Sequence, residues 1–469
     1  MDKRTKIIAT IGPASSKAAI IERMVLNGMD IARLNLSHGT HQEHAAVIKR
    51  IRDFEKKSGR HVGIHADLGG PKIRTGIIPG DAPLDLKRGD AIVFAPENSA
   101  RGNEIPITFP DLARDVKEGN KLLLDDGNLS VEVKSVEGDK IHAIVIDGGV
   151  LKDHKGINLP GLVLSTSAVT KKDLKDLTFA LSAKVDFIGV SFVQKAEDIE
   201  IVKKVMKKAG RVVPVVAKIE RSIAVKNLEE IAQAADAVMV ARGDLGVETP
   251  MTEVPLLQKD IIAATLSKRK PVIVATQMLE SMISHSRPTR AEVTDVSNAV
   301  FESADAVMLS AETSIGCDPP NAVSTMKKIV MATEESRYQP RGSYVPDLHD
   351  DTVEMATARA ACFAAEEVNA KALVVFTSTG NTARLVSSQR PLVDIIATTY
   401  SDDVARRTQL YWGIESVKIP KWTSIDSMIN TSLKKMRASG KIKNNDTIVV
   451  TCGNTAVAGA TNMIKVLKV

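Results

Sequence analysis

VPVVAKIERS, residues 213–222, opens as a β-branched run and closes with Lys218 and Glu220 two positions apart. Strand residues two apart point to the same face. The two side chains therefore leave one strand end together, opposite in charge and close to apolar surroundings. The same form, a short apolar run ending in polar groups, recurs along the chain. Before it come TKIIATIG (5–12), DIARLNLS (30–37), VGIHADLG (62–69) and DFIGVSF (186–192). After it come AVMVARGD (237–244), PVIVATQ (271–277) and DAVMLSAE (305–312). Amphipathic stretches such as SKAAIIERMVLNG, KKDLKDLTFALSAK and EDIEIVKKVMKKAG lie between most of them. Eight strands alternating with helices predict a (β/α)₈ barrel, with an open doubly wound sheet as the competing architecture.

One spacer breaks the rhythm. Residues 71–165 carry GDAIVFA, KLLLDDGNLSVEVKSVEGDKIHAIVIDGG and KGINLPG, short strands with DG, EGD and DGG turn signals. They predict a small all-β barrel inserted after the third strand as a lid. Beyond about residue 343 a fresh α/β pattern starts, with ALVVFTSTG, LVDIIATTYS, GIESVKIP and NDTIVVTCG as strands. The expected division is barrel 1–70, lid 71–165, barrel 166–342 and C-terminal domain 343–469.

Composition narrows the function. The 469 residues are 43% hydrophobic, 26% charged and only 3% aromatic, which argues against a binder that stacks nucleic-acid bases. The net charge of +6, from 63 basic and 57 acidic residues, is intermixed and favours small anions over a polyanion. Cys317, Cys362 and Cys452 form no metal-ligand motif, as suits a reducing compartment. No segment approaches the roughly 20 apolar residues of a membrane span, and the start lacks a signal-peptide core. A cytoplasmic protein is expected.

Barrel chemistry sits at the carboxyl ends of the strands. The second run ends in Arg33, Asn35 and Ser37, and the third in Asp67, followed by Lys72 and Arg74. The fifth ends in Lys218 and Glu220, the sixth in Arg242, Gly243 and Asp244, and the seventh in Thr276 and Gln277. Glu220 and Asp244 are hard oxygen donors suited to Mg²⁺, which takes one or two carboxylates and completes its shell with water and substrate oxygens. The cations outnumber what two carboxylates need. A site that gathers positive charge around a metal suits a phosphate, and in phosphoryl transfer such charge stabilises the moving group. No Walker A loop or protein-kinase signature is present.

RLNLSHG, DLGGPKIR, KGINLPG, VVAKIERS, VMVARGDLGVE, ATQMLESMI, RPTRAEVTDVSNAV and VMLSAET together closely resemble the pyruvate kinase family, over essentially the whole chain. The resemblance implies transfer of phosphoryl from phosphoenolpyruvate to ADP by a homotetramer with an effector domain. It implies Lys218 as the group that stabilises the phosphoryl in flight, and Glu220 and Asp244 as Mg²⁺ ligands, with Mn²⁺ a possible substitute. The backbone of Ala241 to Asp244, Gly243 included, with Thr276 would hold the substrate carboxylate, and Thr276 would lie near the protonation of enolpyruvate. Arg33 and Arg74 would contact phosphate. Asn35, Ser37 and His38, with Arg74 and Lys155 of the lid, would form the nucleotide site.

Departures from the family pattern carry their own expectations. K⁺-requiring members read DTKGPEIR where this chain reads DLGGPKIR, so Leu68 replaces a threonine and Lys72 a glutamate. A lysine is a compact point charge, and Lys72 is expected to stand in for K⁺ in a site lined by Asn35, Ser37 and Asp67, removing the K⁺ requirement. Ile223, the Cys317–Asp318 pair and the loop 452–462 also differ.

In the C-terminal domain Thr377, Ser378, Thr379, Gly380, Asn381 and Thr382 form a hydroxyl-rich strand-to-helix turn. It reads either as an ordinary capped turn or as a phosphate loop. The resemblance implies an allosteric effector there, with a sugar monophosphate or AMP favoured. A metal-dependent lyase or aldolase acting through a pyruvate enolate is the competing enzyme reading. A nucleic-acid-binding scaffold rests only on the basic excess, so neither nucleic acid nor membrane is an expected partner.

Overall fold

The structure, a computed structural model, describes residues 3–78, 83–162, 165, 168–338, 352–422, 424–453 and 461–469. Eight parallel strands close into a barrel in chain order: Lys6–Thr10, Ile31–Asn35, Gly63–Asp67, Phe187–Val190, Val215–Ile219, Ala237–Ala241, Val272–Ala275 and Ala306–Leu309. The open-sheet alternative is excluded, because the first strand pairs with both the second and the eighth. Each strand is shorter than its apolar run. The residues beyond the last ladder bond form the rim, and Arg242 to Asp244 already belong to a helix, Arg242–Glu248.

The amino end of the barrel is stapled by a repeated device. Asp30, Asp186, Asp236 and Asp305 stand immediately before the second, fourth, sixth and eighth strands. Each accepts a backbone N–H from an odd-numbered neighbour: Ile7 at 2.7 Å, and Ile64, Val215 and Val272 at 2.9 Å. An unpaired strand-end N–H is thereby satisfied. Two of these aspartates also receive arginines from the C-terminal domain, Arg406 on Asp186 at 3.0 Å and Arg390 on Asp305 at 2.9 Å. Leu410 from the same domain joins the apolar cluster inside the barrel with Ile8, Phe187 and Met239. The C-terminal domain is thus seated in the barrel floor by both charge and burial.

The inserted unit is a six-stranded sheet in the order Ile157–Asn158, Lys121–Leu124, Leu129–Glu137, Lys140–Asp147, Ala91–Pro96, Ile105–Ile107. Its two edges are joined by one short segment: Arg74 bridges to Gly156 and Thr75 to Ile107. The segment that joins the edges of the inserted unit is therefore the one that carries Lys72 and Arg74 out of the barrel. The chain returns through Leu159 and Leu162, whose carbonyls accept from the buried Arg221 at 3.5 and 2.7 Å.

The C-terminal sheet runs Ile414–Lys418, Asp394–Thr399, Ala372–Phe376, Thr447–Cys452, Met463–Lys468. The last strand is antiparallel and escapes the sequence reading, because MIKVLK on an exposed edge mixes lysines with apolar residues. Of the departures, Asp318 caps the helix Pro319–Glu334 by accepting from Asn321 N–H at 3.2 Å. Ile223 sits half-buried in the short helix Ser222–Lys226. The expected boundary at 342/343 and residues 454–460 of the altered loop lie outside the described residues.

Asp186 is fully buried and also meets Arg52 at 2.5 Å. Removing one partner of a buried pair strands the other, at about 3–5 kcal/mol. Asp186→Ala is expected to lower the guanidinium midpoint by a destabilisation of that order. Asp53→Ala, which breaks the exposed pair with Lys49, should leave the midpoint unchanged.

Candidate active site

Seven strand ends, the first to the seventh, bring polar groups to the carboxyl mouth of the barrel. Lys218 is buried, and its Nζ lies 2.7 Å from Glu220 Oε1, 3.2 Å from Asp67 Oδ2 and 2.7 Å from Ser191 Oγ. Asp67 Oδ2 also accepts from Arg33 Nε at 2.9 Å and from Arg33 Nη2, while Arg33 Nη1 donates to Thr10 Oγ1 at 3.1 Å. Two cations and two carboxylates therefore share one buried cluster. Burial opposes the charge of Lys218, but Asp67 and Glu220 outweigh it and hold the ammonium pKa above its ordinary value. Burial likewise resists ionisation of Asp67, and Lys218 and Arg33 overcome it, so the carboxyl sits below the usual range.

Glu220 behaves differently. Burial pushes its carboxyl up, Lys218 pulls it down, and the negative charge of Asp244 pushes it up again. The negative charge beside Glu220 that favours a proton there offers the same field to a divalent cation. Among the described residues no group of three or more acids, histidines or cysteines gathers, so the donor set fits an ion that draws its remaining ligands from water and substrate. Glu220 Oε2 is held by the Phe192 N–H at 2.7 Å.

Thr276 and Gln277 close the seventh strand at φ +70° and +54°, a conformation uncommon for any residue but glycine and a genuine outlier for a β-branched one. Thr276 Oγ1 accepts from Gly243 N–H at 2.8 Å and donates to the Ala275 carbonyl at 2.6 Å. This ties the sixth and seventh strand ends together, with Asp244 next in the chain.

Around the rim stands a second layer of cations. Burial lowers the pKa of His38, and the charges of Arg74, Lys72, Arg33 and Lys172 lower it further, so His38 faces a positive field. Arg74 donates to the His154 carbonyl at 2.9 Å, and Lys155 pairs with Asp125 at 2.6 Å within the inserted unit. Asn35 Oδ1 accepts from the Ser37 N–H at 3.2 Å. Lys72 stands 4.0 Å from Asp244 Oδ1. Among the described residues no hydrogen bond or ion pair joins it to Asn35, Ser37 or Asp67, the last being committed to Arg33 and Lys218.

Ser191, the fourth strand's contribution, was missed in the sequence. The rim test that found the other strand ends applied to DFIGVSF as well, but a lone serine carries no charge to draw attention. The helix Lys171–Ser182 was read only as a spacer. It holds the rim together: Asp173 accepts from Gly70 N–H at 3.1 Å, and Lys172 donates to the Leu36 carbonyl at 2.7 Å.

The sequence model of the pyruvate kinase barrel domain matches residues 2–323, and that of the pyruvate kinase alpha/beta domain matches 355–467. The chain belongs to the pyruvate kinase family. It is 44% identical to the pyruvate kinase of Corynebacterium glutamicum, over 99% of this chain and 98% of that one. Identity is 42% with that of Mycobacterium tuberculosis (100% and 99%) and 40% with that of Geobacillus stearothermophilus (99% and 80%). As a member of the pyruvate kinase family it is a phosphotransferase, and the lyase alternative finds no support. Among the described residues no helix is long and apolar enough to cross a membrane.

A hydrogen bond to a charged group is worth about 1.5–3 kcal/mol, and each 1.4 kcal/mol is about tenfold in rate. Ser191→Ala frees the Lys218 ammonium from its only neutral side-chain partner among the described residues. Steady-state kinetics should show kcat reduced by about tenfold or more, with little change in thermal stability.

Proposed function

We propose that this chain transfers the phosphoryl group of phosphoenolpyruvate to ADP, giving pyruvate and ATP as in the last step of glycolysis, at the Lys218 cluster. The observation that carries the reading is a buried ammonium in contact with Glu220, Asp67 and Ser191 at the barrel mouth. Its raised pKa keeps it protonated near neutral pH, so a fixed positive charge meets the phosphoryl between donor and acceptor oxygens. Arg33, held by Asp67 and Thr10, adds a second.

Glu220 and Asp244 would hold Mg²⁺, or Mn²⁺ in its place, which when bound supplies bridging charge to substrate and phosphoryl oxygens. Thr276 and Gly243, joined at 2.8 Å, would orient the substrate carboxylate. The P–O bond to the enolate breaks as an ADP oxygen bonds to phosphorus. The enolate then takes a proton at its methylene carbon, delivered near Thr276 through water. Asn35, Ser37 and His38 on the barrel, with Arg74 and Lys155 on the lid, would receive the nucleotide, so that lid closure completes the site.

Lys72, in the same field, would supply the charge that K⁺ brings elsewhere in the family. Its 4.0 Å approach to Asp244 supports a role at the metal carboxylates rather than contact with Asn35, Ser37 and Asp67. In the C-terminal domain Gly380 N–H donates to Thr377 Oγ1 at 2.8 Å, and Thr382 and Thr461 hydroxyls meet at 2.6 Å. Thr377, Ser378, Thr379, Gly380, Asn381 and Thr382 would bind the phosphate of a sugar monophosphate or AMP. Arg384, which links Asn381 at 2.8 Å to the Arg269 carbonyl at 2.5 Å, would carry the effect to the barrel. The division at 71–165 and 343, a homotetramer and a cytoplasmic location complete the assignment.

Coupling pyruvate formation to NADH oxidation by lactate dehydrogenase tests it directly. Activity should require phosphoenolpyruvate, ADP and Mg²⁺. Added KCl at constant ionic strength should leave the rate within about twofold, and a large activation would refute the role given to Lys72. Lys218→Met should cut kcat by about a thousandfold or more, a loss of about 4 kcal/mol of transition-state stabilisation. Metal-dependent binding of phosphoenolpyruvate should survive it. Near-native turnover in that variant would sink the reading.

A further inference from the structure

The seventh strand ends at Ala275, and the next two residues, Thr276 and Gln277, both take positive φ, +70° and +54°. Neither is glycine, and two such residues in succession need support from their surroundings. One side chain supplies it. Arg242 Nε donates to the Ala275 carbonyl at 3.3 Å, and Nη2 to the Thr276 carbonyl at 2.7 Å and to Met278 Sδ at 2.8 Å. Nη1 donates to Asp295 Oδ1 at 2.6 Å and reaches Gln258 Oε1 at 3.5 Å. A guanidinium carries five N–H groups, and these five contacts engage them all.

Arg242 stands beside Gly243 and Asp244, where its charge alone would suggest a contact with an anionic substrate. Its donors are instead spent within the protein, and the Asp295 carboxylate balances its charge. Asp295 and Gln258 belong to the helices Arg290–Phe301 and Val254–Ser267, so the turn after the seventh strand is fastened to the outer helices. Consecutive residues grip Thr276 at two points. The Arg242 side chain takes its carbonyl, and the Gly243 N–H takes its hydroxyl at 2.8 Å. A planar fork can hold two successive carbonyls and a carboxylate at once, whereas lysine offers a point charge on a flexible stem.

We propose that Arg242 is a positioning residue for substrate orientation and enolate protonation: braced by Asp295, its guanidinium locks the left-handed turn at Thr276 and Gln277 and so fixes the Thr276 hydroxyl. Arg242 acts through Thr276 and touches neither substrate nor metal. In the step it serves, a C–H bond forms at the methylene carbon with a proton from water, and the enolate oxygen becomes the pyruvate carbonyl. A misplaced hydroxyl is felt in that step and in the hold on the substrate carboxylate. The inference rests on the role assigned to Thr276.

The test uses the full-length enzyme with Arg242→Lys, Thr276→Ala and Gln277→Gly, and Arg242→Lys combined with each of the other two. Arg242→Lys keeps a charge for Asp295 and loses the fork. Its kcat should fall about tenfold, the weight of a hydrogen bond to a charged group. Exchange of pyruvate methyl protons for deuterium, followed by NMR in D₂O with Mg²⁺ and ATP, should fall by a similar factor. The KM for phosphoenolpyruvate should rise about threefold or more, while that for ADP stays within about twofold. Glycine takes positive φ without steric cost. Measured against Gln277→Gly alone, Arg242→Lys should therefore cost much less than it does in the wild type. Combined with Thr276→Ala, the two losses should not multiply, because both act on one group.

Thermal melts and the two KM values separate a clamp from a packing group. A fall in kcat that only follows the loss of folded protein, with the KM for phosphoenolpyruvate unchanged and no rescue by Gln277→Gly, overturns the proposal. Wild-type kcat and exchange in Arg242→Lys overturn it equally, as do losses that multiply with those of Thr276→Ala. Should Thr276→Ala itself keep wild-type kcat and exchange, the failure lies in the role given to Thr276, whatever the Arg242 variants do.

Discussion

A single buried contact organises the mouth of this barrel: the Lys218 ammonium held between Glu220 and Asp67. Charges withdrawn from water are expensive unless each meets an opposite partner in good geometry. Here Asp67 serves two cations and Lys218 serves two carboxylates, so the cluster of Arg33, Lys218, Asp67 and Glu220 is neutral as a unit. What remains uncompensated lies at its edges. Asp244 pushes the Glu220 carboxyl up on one side, and the rim cations Arg74, Lys72 and Lys172 press on His38 on the other. A divalent cation answers the first imbalance and a polyphosphate the second. The site is incomplete in charge in the two ways its proposed reactants can complete it.

That arrangement needs a frame that does not yield. The four aspartates before alternate strands fix the amino end of the barrel. The helix Lys171–Ser182, at the point where the chain returns from the inserted unit, grips both Leu36 and Gly70 on the rim. Strain appears where the frame is tightest, at Thr276 and Gln277. A backbone held in an unfavourable conformation persists only where its surroundings over-determine it. Thr276 is so held by Gly243 and Ala275.

The C-terminal domain is built into this frame and not merely tethered to it. Arg406 and Arg390 fall on two of the strand-end aspartates, and Leu410 enters the barrel interior. Asp186 thus bonds at once to a helix arginine of the barrel, a strand N–H and an arginine of the C-terminal domain. The helix Asp402–Arg407 therefore meets the residue that starts the fourth strand, and beyond the far end of that strand Ser191 meets Lys218. That strand spans only four residues, all buried.

How much of this was legible beforehand follows from the range of each force. The strand runs, the inserted β unit, and the pairing of Lys218 with Glu220 were readable because periodicity and same-face spacing act over a few residues. Mg²⁺-type donors and a cation surplus were readable from side-chain chemistry alone. Ser191 and the aspartate staples were not, since each acquires its meaning from a neighbour that the sequence places far away. The edge strand Met463–Lys468 was missed because exposure on one face dilutes its apolar pattern. The sequence by itself determined which elements form and which chemical groups stand at their ends, through local geometry and hydrophobicity. Only the tertiary structure decided which oxygen of Asp67 is spent on Lys218 and Arg33 and that Lys72 turns toward Asp244, because closing the barrel brings together charges whose energies depend on ångström separations in a medium without water.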